Sequence, residues 1–196
     1  MNAVDVLPSV AGALAAALTV LLDGRRPILI ALAGLYLFLV LQLAMNVALP
    51  IALAKGVVGA AVVAILLRAT SHESSRTLPS IGAIPTGLGF RVAATLLVLI
   101  PASGLVGLGV LAALPLSPAI LFGSLWVMSL GALQMGLSTD TVTTTVGHLV
   151  VLCGFELLYV PLEPSLLLTV LLSAVHLGLA LLGSYLISLS GPAKPT

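Results

Sequence analysis

The chain has 196 residues, 60% of them hydrophobic and 7% charged, with a formal net charge of +1. Soluble domains carry about 25% charged residues, so this composition excludes an ordinary soluble enzyme and points to an integral membrane protein. A charge so near zero, with no basic patch interleaved with aromatics, excludes nucleic acid as a partner and leaves membrane lipid as the expected surrounding.

The single cysteine, Cys153, excludes an internal disulfide, and no Cys/His cluster has zinc spacing, so neither metal nor cofactor is expected in this chain. The apolar stretch AGALAAALTV is preceded by no basic residue and followed by Arg25-Arg26. That charge order is opposite to a cleaved signal, so the stretch reads as a retained first helix with its N-terminus outside.

In chain order the hydrophobic runs predict an all-α, polytopic transmembrane helix bundle of about seven spans of roughly 20 residues each. The first covers 7–22 and is broken by Asp23-Gly24-Arg25-Arg26. The second covers 27–46, with Pro27 suited to a first helical turn. The third covers 49–68 and contains Lys55; the long Ser/Pro/Gly-rich loop 69–90 follows, with His72, Glu73 and Arg76. The fourth covers 91–113 and contains Pro101, a kink that neighbouring helices can accommodate in a membrane. The fifth covers 118–137 and holds Gln134. A polar loop, 138–145, leads into the sixth, and the turn 161–164 leads into the seventh.

This divides the chain into an N-terminal three-helix unit (1–68), a cytoplasmic loop (69–90) and a C-terminal four-helix unit (91–190). With seven spans, one side collects Arg25, Arg26, Arg68, Arg76, Arg91 and Lys194, while the other carries Asp5 and Glu163 but no Lys or Arg. The positive-inside rule places the basic side in the cytoplasm, hence the N-terminus outside and the C-terminus cytoplasmic. Spans one to three and five to seven share a plan, which suggests a degenerate parallel repeat.

Ionisable residues inside apolar spans are costly and mark ion paths or paired contacts. Glu156 lies about five residues from the outer end of its span, roughly 8 Å, and Lys55 lies at similar depth, so a Lys–Glu pair between spans three and six is geometrically possible. His176 is placed deeper, about 18 Å from the same surface. An imidazole changes charge near neutral pH, about 6.5, which suits a relay. His148 stands toward the cytoplasmic end of span six. Glu156, His176, Lys55 and His148 are thus expected to form a proton path, a string of protonatable groups at different depths, with Gln42, Asn46 and Gln134 in support. Asp140 and Glu163 read as loop charges without special role. No nucleophile elbow, phosphate loop or dinucleotide fingerprint is present, so no catalytic residue is expected and the chain alone is not read as an enzyme.

The stretch 122–187 contains a Gly-rich helix end (GALQMG), a polar turn (STDT), a helix with a buried acid (GFELL) and a further helix with a central ionisable residue. This resembles the three-helix NuoK-type subunit of respiratory complex I. The segment ALAKGVVGAAVVAILLR is similar to the lysine-bearing helix of the hydrogenase-4 component E family, membrane subunits of formate hydrogenlyase-type complexes.

The resemblance implies a membrane-arm subunit in the inner (plasma) membrane of a prokaryote. It would be a non-catalytic part of an oxidoreductase complex, partnered by antiporter-like membrane subunits and taking part in proton or cation translocation. Glu156 corresponds to the first acid of the NuoK-type pair. His176 stands where the second acid would be, and Leu157 replaces the asparagine that often follows the first. A stand-alone small transporter or channel, and a purely structural anchor, are the alternatives.

Overall fold

The computed structural model describes residues 3–46, 49–71, 87–109, 113–138 and 140–189. Among the described residues there are seven helices and no strand: α1 (Ala3–Leu21), α2 (Arg25–Asn46), α3 (Leu49–Ser71), α4 (Leu88–Gly107), α5 (Pro118–Leu137), α6 (Thr141–Tyr159) and α7 (Leu166–Leu189). Six of them, α2 to α7, are long and apolar enough to cross a bilayer; in α1 the apolar run Ala11–Leu21 is shorter. A helix satisfies its own backbone hydrogen bonds, which hydrocarbon requires of any lipid-facing segment.

Local chemistry sets the helix boundaries. Gly24, at φ 100°, makes the turn between α1 and α2 in a conformation that other residues rarely adopt. Ser117 caps α5 by accepting from Ile120 N at 3.3 Å, with Pro118 at the first helical position. Asp140 caps α6 by accepting from Thr143 N at 3.4 Å. That cap draws Thr141–Thr145 into the helix, so the polar loop expected over 138–145 is shorter than the composition suggested. The fourth helix ends at Gly107, not at 113, because the chain leaves the helix through Gly109 at φ 67°. Of the expected loop 69–90, residues 72–86, with His72, Glu73 and Arg76, lie outside the described residues, as do Lys194 and the side chains of Asp5 and Asn46.

The most buried helices are α2 and α6. On α2, Leu29, Leu32, Leu35, Leu39 and Leu43 recur at three- and four-residue spacing and are essentially solvent-inaccessible; Val146, Leu149, Val150 and Cys153 do the same on α6. Between the front and back triplets α1 packs on α5, α2 on α6 and α3 on α7, while α4 packs mainly on α5 and leaves most of its surface open. The interface between α1 and α5 holds a buried polar contact: Gln134 Nε2 donates to Thr19 O at 3.2 Å.

Ionic contacts at one end of the bundle tie its helix starts together. Arg25 pairs with Asp140 at 3.1 Å and Arg91 with Asp23 at 2.5 Å. Asp140, expected to be an unremarkable loop charge, therefore both caps α6 and anchors α2.

The most extensive helix contact is α5 with α6, and glycine makes it possible. A Cβ on Gly131 would lie 2.6 Å from Val151 N and 2.7 Å from Gly147 O, and one on Gly154 would lie 2.6 Å from Met128 N. The opposing atoms are main chain and cannot rotate away, so the helices touch backbone to backbone. Gly131→Val is accordingly expected to force α5 and α6 apart and to destabilise the fold by about 1–3 kcal/mol. Thermal denaturation in detergent checks this. Gly136→Val, where a Cβ meets nothing within 4 Å, is the matched control and should melt like the parent.

Candidate functional site

Three helices each deliver one ionisable side chain to the same place. Lys55 comes from α3, Glu156 from α6 and His176 from α7, and all three are buried to 1% exposure or less. The Lys55 ammonium donates to Glu156 Oε1 in a direct ion pair. Lys55 Nζ also lies 3.2 Å from His176 Nδ1, which is itself 3.6 Å from Glu156 Oε1. Lys⁺, Glu⁻ and a neutral imidazole sum to zero, which is what makes the group tolerable in a low-dielectric interior.

The imidazole has competing neighbours. Its Nδ1 lies 2.8 Å from Leu172 O as well as 3.2 Å from Lys55 Nζ. A carbonyl only accepts, so Nδ1 carries hydrogen when it bonds Leu172; it must be bare to accept from Lys55. The other ring nitrogen, Nε2, is 3.9 Å from Cys153 Sγ. The two neutral tautomers thus correspond to two bonding patterns, one holding Lys55 through His176 and one releasing it to Glu156 alone. A proton passed from Lys55 to Nδ1 moves positive charge from α3 to α7 without moving a helix.

Among the described residues, the buried Glu156 Oε2 has no hydrogen-bond partner, and the buried Tyr36 hydroxyl neighbours the Cys153 thiol. The Tyr36 ring meets His176 edge-on, with centroids 5.8 Å apart and planes at 64°. Tyr36 and Cys153 are the site residues that the sequence reading missed. Their signals are faint: a lone phenol on the leucine face of α2, and a thiol one helical turn before Glu156.

The Lys55–Glu156 contact that their similar depth allows is present. The expected staging by depth is not, because His176 sits beside the pair instead of deeper. Glu156 stands three residues before the end of α6, and His176 ten residues after the start of α7. For the two side chains to meet across antiparallel helices, α7 must begin about 10 Å beyond the end of α6 at 1.5 Å per residue. The depth estimate had assumed that both helices end in one plane.

His148 stays apart from the cluster. It is exposed on α6, with Nδ1 2.9 Å from Thr144 O. Gln134 serves the α1–α5 contact, and Gln42 is buried on α2 beside Ser124 and Leu157. Among the described residues no group of His, Cys, Asp and Glu is arranged to hold a metal ion. No protein-family model matches the chain, and no curated protein or solved structure shows significant similarity to it.

Proposed function

We propose that the chain is a membrane-arm subunit of a complex I-like or hydrogenase-4-like respiratory assembly in a prokaryotic inner membrane. In this reading the Lys55–Glu156–His176 cluster passes protons in step with redox chemistry in partner subunits. The observation that carries it is a fully buried lysine shared between a carboxylate and an imidazole. A buried ion pair is a poor source of stability, since well-packed apolar residues usually do as well or better. Its presence in lipid is better accounted for by charge movement.

The position of the cluster supports the same reading. It forms where α3 of the front triplet meets α6 and α7 of the back triplet, the kind of seam at which repeat-built transporters hold their ions. The basic residues Arg25 and Arg91 mark the opposite end of the bundle, which the positive-inside rule assigns to the cytoplasm.

The test is isolation of the tagged chain from its native membrane in mild detergent. A large assembly containing antiporter-like and redox-active subunits is expected. A chain that purifies alone and moves ions in liposomes would instead be a stand-alone transporter. An assembly whose pumping ignores changes in the cluster would make the chain an anchor.

A further inference from the structure

A second feature lies toward the end of the bundle that bears Arg25 and Asp140. Between the first half of α6 and the last half of α7 is a cavity of about 350 Å³. One wall is polar: Ser138, Asp140, Thr144, Thr145 and His148. The other is apolar, with Leu179 and Leu182 of α7. A liquid water occupies about 30 Å³, so the space admits several.

The polar wall is built to accept hydrogen. Thr144 Oγ1 donates to Asp140 O at 3.0 Å, and Thr145 Oγ1 donates to Thr141 O at 2.8 Å. Thr144 Oγ1 also lies 3.2 Å from Ser138 Oγ as donor, so the hydroxyl hydrogens are taken up within the protein and the oxygens keep lone pairs for whatever fills the cavity. The 2.9 Å approach of His148 Nδ1 to Thr144 O fixes its hydrogen on Nδ1, so Nε2 is the basic nitrogen. Asp140, paired with Arg25 and 41% exposed, adds a carboxylate near the same wall. The Arg25 guanidinium already balances that carboxylate, so what the wall offers water is chiefly its hydroxyls and the His148 imidazole.

The cavity is lined by α6 and α7, the two helices that carry Glu156 and His176. Leu179 is one helical turn from His176. His148 is five residues from Cys153, about 7.5 Å of helix rise, and Cys153 Sγ lies 3.9 Å from His176 Nε2.

We propose that this cavity is a water-filled inlet through which protons reach the bundle from the Arg25 side, with His148 Nε2 as the group that takes the proton up. The proposal rests on the proton-passing reading of the Lys55–Glu156–His176 cluster and adds the route to it.

Cysteine accessibility tests it in the assembled complex in oriented membrane vesicles. The parent chain, whose one cysteine is buried, sets the baseline. Thr144→Cys and His148→Cys are expected to react with a membrane-impermeant thiol reagent from the Arg25 side and not from the other. Leu181→Cys, exposed on α7 and absent from the cavity wall, should stay at baseline.

Equal reaction of Thr144→Cys and Leu181→Cys overturns the inlet. So does His148→Gln with proton flux equal to the parent, even where labelling succeeds; a fall in flux is expected. Failure of the underlying reading shows separately, as unchanged flux in Glu156→Gln, a position that the labelling does not touch.

Discussion

Glu156→Gln is expected to lower redox-coupled proton pumping by roughly a hundredfold or more, the range typical of losing a proton-transfer group. The substitution keeps the size of the side chain, and its amide oxygen can still accept from Lys55 Nζ. It removes the negative charge, and with it the zero sum that Lys55, Glu156 and His176 form together. The complex should still assemble, as native gel electrophoresis would show. Glu156→Asp should recover part of the pumping, because the carboxylate is kept and only its reach is shortened. Pumping that persists undiminished in Glu156→Gln would mean that the carboxylate ties helices together and moves no proton.

Lys55→Met should have the largest effect on stability. Among the described residues it leaves the buried Glu156 with no cation within bonding distance except a protonated His176, and breaking a buried pair in this way costs about 3–5 kcal/mol. The double replacement Lys55→Met with Glu156→Leu should recover most of that loss, since an apolar pair of similar volume asks nothing of its surroundings. A double-mutant cycle on melting in detergent measures the coupling. Additive effects would contradict the direct contact between the two side chains. The double variant should remain inactive in pumping, which separates stability from function.

How far the sequence could lead is clear from particular residues. Lys55, Glu156 and His176 are conspicuous because charge is rare within apolar runs, and the Lys55–Glu156 contact follows from their similar depths. His176 was misplaced because depth along a helix says nothing about how far one helix slides past its neighbour. His148 was read as part of the string because it shares α6 with Glu156, yet it stands two turns away on the exposed side. Cys153 reads from sequence as a small apolar filler and Tyr36 gives no signal, because a thiol and a phenol are ordinary in a leucine-rich core.

The helices themselves were legible from hydropathy, and their edges less so. A run such as Thr141–Thr145 looks like loop by polarity and becomes helix only once Asp140 is recognised as its cap. The close contact of α5 and α6 is not legible in the sequence, because which glycines touch depends on the packing, as Gly131 and Gly136 show.

The pairing of Lys55 with a residue 101 positions later has a consequence for biogenesis. A ribosome adding about 5–20 residues per second delivers α3 to the translocon some 5–20 s before Glu156 exists. During that interval the lysine must partition into lipid alone, at a cost of about 2.5–3.5 kcal/mol at mid-bilayer on insertion scales. The leucines, isoleucines, valines and alanines that dominate the rest of α3 are what let the nascent helix enter before its counter-ion is translated.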